Sequence, residues 1–230
     1  MALPKLETPT YELILPSTGE KIKYRPFLVR EYKILLTALE SDTEEIQRVI
    51  SEMVDICTFN KLNMKETPNF DIEYIFLNMR ARSIGETATL NLQCNNCDNK
   101  INFDLDVTKA EIKKDPSHTS KLHITDKIIL DMRYPKFEEM IDIYQNLKSD
   151  KIVDLLCKCI KTVYTEDKVY DDFTEEELIE FVNGFSKSQF GMLENFFITM
   201  PKVVQHIEQD CPACGAHNEL NLEGLQNFFV

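Results

Sequence analysis

Apolar positions change their period several times along this chain. Tyr11, Leu13 and Leu15 alternate with polar residues, Pro16-Ser17-Thr18-Gly19 reads as a turn, and Ile22 and Tyr24 resume the alternation. That pattern predicts a β-hairpin ended by Pro26. From there the period becomes helical, with Leu28, Tyr32, Leu35, Leu36 and Leu39 on one stripe. A second helix carries Ile46, Val49, Ile50, Met53, Val54 and Cys57, with Asp42 as its cap and Glu45 three residues later. A third starts near Asn69, its expected cap, and is apolar on nearly every face from Phe70 to Met79. Such a helix belongs in a core, and Gly85 is placed to end it.

The period then returns to two. Ala88, Leu90 and Leu92 lead into Cys94-Asn95-Asn96-Cys97, and Ile101, Phe103, Leu105 and Val107 lead away from it. This predicts strand, knuckle, strand. Residues 109–119 are polar and weakly patterned, and form the expected boundary between an N-terminal half, 1–108, and a C-terminal half, 120–230. The second half opens with another hairpin pattern, Leu122 and Ile124 against Ile128, Leu130, Met132 and Tyr134, ended by Pro135. A helix through Phe137, Met140, Ile141, Tyr144 and Leu147 follows, then one with Ile152, Leu155, Leu156, Cys159, Ile160 and Val163 on a stripe. After an acidic loop, 166–172, the pairs Thr174/Glu177 and Ser186/Gln189 form capping boxes for two more helices, closed by Gly184 and Pro201. Val203 to Ile207 predicts a strand into Cys211-Pro212-Ala213-Cys214, and Leu220 and Leu222 one out of it.

The fold class is therefore α+β, as two similar halves of hairpin, helices and Cys-x-x-Cys knuckle. Arg25-Pro26-Phe27 in the first half corresponds to Arg133, Pro135 and Phe137 in the second. An internal duplication accounts for this order, as does chance ordering of common elements.

The cysteines carry the chemistry. Zinc takes four soft ligands in a tetrahedron, and a Cys-x-x-Cys turn places two sulfurs on one ion. Cys94, Cys97, Cys211 and Cys214 make up such a set, with Gly215 following the second pair where a knuckle favours a small residue. Positions 98–210, 113 residues, separate the two pairs, so the metal is expected to join the two halves as a zinc-ribbon-like staple. One structural Zn2+ per chain would add on the order of 10 kcal/mol to the folded state. Four cysteines close the coordination sphere, whereas catalytic zinc keeps an open position. A redox Cys-x-x-Cys opens a helix, and strand patterning follows Cys214 instead. His217 is close enough in sequence to replace a ligand, but is read as a neighbouring or solvent histidine. Cys57 and Cys159 lie on apolar stripes as small hydrophobes. Cys157 lies off its stripe, on the side expected to be exposed.

Composition narrows the function classes. Lys and Arg number 26 against 39 Asp and Glu, a formal net charge of −13, so the overall field opposes a nucleic acid, whose binding relies on cationic side chains. The opening Met-Ala-Leu-Pro-Lys lacks the charged and apolar regions of a signal peptide, and no run approaches the roughly 20 apolar residues of a membrane span. No phosphate loop, Gly-x-Ser-x-Gly or His-Glu-x-x-His is present. The expected catalytic residues and cofactor-binding residues are none, and no small-molecule substrate is implied. The apolar end Phe228-Phe229-Val230 is expected to pack back on the core, with docking on a partner as the alternative.

The segment LPKLETPTYELILPSTGEKIKYRPFLVREYKILL resembles the baseplate hub and hub-assembly proteins of T-even-like contractile-tailed bacteriophages. So do FDIEYIFLNMRARSIGE and FTEEELIEFVNGFSKSQFGMLENFFITMPKVVQH followed by CPACG. The resemblance implies a non-enzymatic part in building the central hub, as a component of the finished particle or as an assembly chaperone that leaves it. The implied partners are other phage baseplate hub or tail proteins, with no nucleic acid and no membrane. The implied locations are the host cytoplasm during assembly and the virion baseplate. A zinc-ribbon module associated with transcription is the alternative reading.

Overall fold

The computed structural model describes residues 6–140 and 149–225. Most of the helix expected through Leu147, and the apolar end Phe228-Phe229-Val230, lie outside the described residues. In chain order come β1 (Tyr11–Ile14), β2 (Lys21–Tyr24), α1 (Val29–Leu39), α2 (Thr43–Cys57), α3 (Asn69–Ser83), β3 (Thr87–Gln93), β4 (Lys100–Asp106) and β5 (Glu111–Lys113). Then follow β6 (Lys121–Thr125), β7 (Ile128–Met132), α4 (Ser149–Lys158), β8 (Ile160–Tyr164), β9 (Val169–Tyr170), α5 (Glu175–Asn183), α6 (Lys187–Thr199), β10 (Lys202–Asp210) and β11 (His217–Glu223). The described chain is an α+β protein with six helices and eleven strands in small antiparallel sheets.

Lys114–Pro201 forms one compact unit, and the described residues on either side of it form the other. The expected boundary at 109–119 contains the crossover at Lys113/Lys114, but the C-terminal half, expected as 120–230, is divided. From Lys202 the chain rejoins the first unit, because β10 hydrogen-bonds β5 in antiparallel register, Val203 opposite Ile112. A strand's edge amides and carbonyls need partners wherever they are buried, and β5 supplies them.

In the first unit, Gly19 takes a positive φ of 74° to turn β1 into β2. Asp42 caps α2 by accepting from the Glu45 amide at 2.9 Å. Asn69, the expected cap of α3, is instead its first helical residue. Pro68 occupies the cap position, and its carbonyl accepts from the Asp71 and Ile72 amides at 3.1 and 3.3 Å. α3 is buried on nearly every face, and Ile72, Ile75, Phe76 and Met79 are fully enclosed. Removing that much apolar surface from water is the main stabilising contribution here, at about 25 cal/mol per Å2. The sheet β11-β10-β5 and the hairpin β3-β4 complete the unit.

The second unit is a meander, β6-β7-β8-β9, with α4, α5 and α6. Leu130, Leu155, Cys159, Leu193 and Phe196 lie at its centre. Both expected capping boxes form: Thr174 with Glu177, and Ser186 with Gln189. The helix expected to run to Val163 stops at Lys158. Residues Ile160–Tyr164 are strand β8, paired with β7, Leu130 opposite Val163. The run Ile-Lys-Thr-Val-Tyr is β-branched and aromatic, a composition that suits a pleated surface, and the open edge of β7 decides the outcome. Cys157, expected to be exposed, is buried. α5 packs along α4, and Cys157 borders Leu178 and Ile179 around a small cavity.

The correspondence between Arg25 and Arg133 extends to individual hydrogen bonds. The arginine amide donates to the carbonyl of a buried cysteine: Arg25 to Cys57 at 2.9 Å, Arg133 to Cys159 at 2.8 Å. The guanidinium donates to the next residue's carbonyl, Pro26 at 2.9 Å and Tyr134 at 3.2 Å. It also pairs with a glutamate six residues on, Glu31 at 3.0 Å and Glu139 at 2.7 Å. That glutamate in turn accepts from the amide three residues after the arginine, Leu28 at 2.7 Å and Lys136 at 2.8 Å. Burial pushes the two thiols up, Cys57 to about 11 and Cys159 to about 12, so both stay neutral. The recurrence of a whole hydrogen-bonded unit favours duplication over chance ordering.

Candidate metal centre

The two knuckles are the tips of two antiparallel hairpins. Gln93 opposite Lys100 closes the ladder of β3 and β4, and Asp210 opposite His217 closes that of β10 and β11. Each tip is then a six-residue turn with the same bonds. In the first, the Cys94 amide donates to Asn99 O at 2.9 Å and the Asp98 amide to Cys94 O at 3.1 Å. In the second, the Cys211 amide donates to Ala216 O and the Gly215 amide to Cys211 O, both at 2.8 Å. The residue after each second cysteine is left-handed, Asp98 at φ 56° and Gly215 at φ 72°. Glycine adopts that region freely, and aspartate is one of the few other residues that visit it.

The four Sγ atoms of Cys94, Cys97, Cys211 and Cys214 lie within 4.8 Å of one another. Cys94 and Cys214 sulfurs are 3.8 Å apart, and those of Cys97 and Cys211 are 3.7 Å apart. A disulfide needs about 2.05 Å, so none of these pairs is bonded. Four thiolates at about 2.3 Å from a tetrahedral zinc stand about 3.8 Å from each other. The observed separations fit that edge. Cys94 and Cys211 are buried, Cys97 and Cys214 exposed. The apolar support is slight: Ile101 is buried with Cys94 and Cys211, and Leu92 and Ala216 pack beside them.

Backbone amides point at the sulfurs. The Asn96 amide, 3.4 Å from Cys94 Sγ, is the main reason that thiol is lowered to about 6, with the Cys97 amide adding to it. The Ala216 amide lowers Cys214 in the same way, helped by the Asn96 side chain at 3.6 Å from its sulfur. The Asn99 amide pulls Cys97 down, but the neighbouring sulfurs outweigh it and hold Cys97 up at about 12. Without a cation the cluster cannot ionise all four groups, because each new thiolate repels the last. A divalent metal removes that penalty, so the donor set fits a soft divalent ion and suits zinc.

His217 does not join the sulfurs. Its Nδ1 is 2.7 Å from Asp210 Oδ1 and its Nε2 is 3.5 Å from Glu219, and the Asp210 contact raises it above the usual histidine range. His206 pairs with Asn221 and Glu208 on the exposed face of β10. His118 stacks on Tyr134, lies tilted against Phe196 and bonds Thr199. No histidine gathers with acids or cysteines into a further candidate metal cluster among the described residues. The sequence reading missed Asn218. It is buried, accepts from the Asn95 amide at 2.9 Å, and donates to the carbonyls of Ala216 at 2.9 Å and Gln209 at 3.3 Å. It therefore ties the first knuckle to the second hairpin independently of the sulfurs. Its only signal in the sequence is its parity with Leu220 and Leu222.

Fold and site together define a mixed α+β protein with a zinc-ribbon-like cluster of four cysteines, all carried by one of its two units. The chain matches the family described as T4 bacteriophage base plate protein over residues 8–230, nearly its whole length, and it belongs to that family. It is therefore a phage baseplate protein. No curated protein and no solved structure matches it. Among the described residues, no helix is long and apolar enough to cross a membrane.

Proposed function

We propose that this chain is a non-enzymatic component or assembly factor of the central hub of the baseplate. It acts by binding other hub or tail proteins, and one Zn2+ held by Cys94, Cys97, Cys211 and Cys214 is its structural support. The observation that carries the reading is the closed four-sulfur cage in a member of a baseplate family. Four thiolates leave zinc no position for substrate or water, so its role is architectural. It clamps two hairpin tips that have little apolar packing of their own. The protein works in the host cytoplasm during assembly and ends in the virion baseplate if it is a hub subunit. The net charge of −13 argues against the zinc-ribbon transcription module, the second reading.

The test is recovery of the tagged full-length protein from infected cells, with mass spectrometry and metal analysis on the same sample. The expected result is hub or tail proteins at near-stoichiometric amounts and one zinc per chain. Polymerase subunits or nucleic acid in their place would overturn the assembly role, and a metal-free protein would overturn the zinc.

A further inference from the structure

The second unit carries an open apolar groove between its sheet and α5. Its apolar lining comes from Ile128 and Val163 of the sheet, Tyr170 of the edge strand β9, Phe173, and Leu178 and Phe181 of α5. The cavity is about 380 Å3. Beyond it the apolar surface continues along β9, where Val169 is 59% and Tyr170 44% exposed. Side chains this apolar on a two-residue edge strand are unusual, because natural sheets protect edges with charge or cover.

The charge around the groove is one-sided. Residues 166–180 contain eight Asp and Glu against the single Lys168. Two of these acids have cationic partners, Glu166 with Lys127 and Glu175 with Lys158. Asp171, Asp172, Glu176 and Glu180 have none among the described residues, and Asp172 and Glu177 line the groove itself. These carboxylates give the rim of the groove a negative potential that attracts cations.

We propose that this groove docks a segment of another baseplate protein, one that inserts an apolar side chain and carries Lys or Arg on both flanks. Charge complementarity selects the occupant: the apolar lining buries the anchor, and the carboxylates draw the basic flanks. A free small molecule would use the cavity but not the exposed apolar edge of β9, whereas an extended segment uses both and can hydrogen-bond along that edge. The proposal deepens the protein-binding role proposed above and rests on it.

The experiment places the photocrosslinker p-benzoylphenylalanine at Tyr170 in the tagged full-length chain, in infected cells. Adducts are identified by mass spectrometry alongside an ordinary pull-down. The expected adduct is a segment of a second tail protein with an apolar residue between basic ones. The double variant Asp171→Lys, Asp172→Lys is expected to lower its yield on the order of tenfold. Both substitutions are at exposed positions, so the melting curve and zinc content stay as in the parent. An adduct to another copy of this chain, to its own residues, to nucleic acid or to a small molecule overturns the proposal, as does a yield indifferent to charge reversal. Hub proteins recovered in the pull-down without any adduct overturn the groove and leave the assembly role standing. Recovery of neither overturns both.

Discussion

Glu73→Gln separates the ionisation of one buried carboxyl from its hydrogen bonding. Glu73 lies on α3 with 3% of its surface exposed, and no cation pairs with it among the described residues. Its Oε1 accepts from the Leu225 amide at 3.2 Å, a bond that the amide oxygen of glutamine can also accept. Burial raises the Glu73 carboxyl from 4.5 to about 7, with the Leu225 and Asn69 hydrogen bonds only partly offsetting it. The unfolded chain releases this proton near 4.5, while the folded chain keeps it until about 7. Between those values the folded state holds more protons than the unfolded one, so stability falls as pH rises. A shift of this size corresponds to roughly 3 kcal/mol, at about 1.36 kcal/mol per unit. Glutamine cannot ionise. Relative to the parent, Glu73→Gln therefore gains up to about 3 kcal/mol between pH of about 4.5 and about 8, whatever constant offset the new NH2 group introduces. The assay is urea unfolding followed by circular dichroism at several pH values, with hydrogen exchange in α3 showing that the unit holding Glu73 is the one affected. A difference between the two proteins that stays flat across this range would refute the argument, because Glu73 would then be ionised in the native state at neutral pH.

Cys211→Ser is expected to abolish stoichiometric zinc binding, and chelation of the parent to lower its melting temperature. Loss of exchange protection should be confined to the β3-β4 and β10-β11 hairpins; normal metal content in the variant would eliminate the four-cysteine site. Glu31→Gln leaves the Arg25 guanidinium, with 11% of its side chain exposed, without its carboxylate, and is expected to cost about 3–5 kcal/mol in chemical unfolding. Glu139→Gln costs less, because the Arg133–Glu139 side chains are 27% and 19% exposed, and equal losses would contradict the burial argument. Burial works to raise Glu31, but Arg30, the Leu28 amide and Arg25 outweigh it and hold the group below the ordinary range. Its contribution is thus present above the unfolded value of 4.5 and is lost as pH falls through the lower folded value. Asn218→Ala removes the acceptor of the Asn95 amide, and is expected to cost about 1–3 kcal/mol and to weaken zinc affinity about 10–100-fold in competition with a chromophoric chelator. Unchanged affinity would mean that the sulfurs alone align the knuckles.

Local pattern was a sound guide at most places where one short stretch determines its own conformation, the Asn69 cap excepted. The turn at Gly19, the Asp42 cap and the two capping boxes each involve residues a few positions apart, and each forms. The apolar circumference of α3 also announced its burial, because a helix without a polar face has no stable place in water. The pattern failed at Ile160–Tyr164, where helix and strand periods are both tolerable over five residues and the neighbouring strand β7 decided. It failed at Cys157 as well, since a helical stripe identifies one packing face and α5 supplied a second.

The four cysteines that come together were legible because a soft-metal site demands a particular residue type at a particular spacing, and that spacing is written locally in each Cys-x-x-Cys. Which parts of the chain the cluster joins was not. Positions 98–210 lie between the pairs, and the sequence suggested a staple between two halves. The return of β10 to β5 places both knuckles in one unit, where Asn218 completes the alignment. The shared Arg–Glu–Cys arrangement likewise shows in the sequence only as an arginine near a proline; its hydrogen bonds to Cys57 and Cys159 span 32 and 26 positions. The sequence by itself determined most of the elements and caps and the two Cys-x-x-Cys knuckles, which depend on bonds and side chains within a few residues. Only the tertiary structure decided unit membership, the partner strands and Asn218's role, because those depend on hydrogen-bonding edges and apolar faces supplied by distant chain.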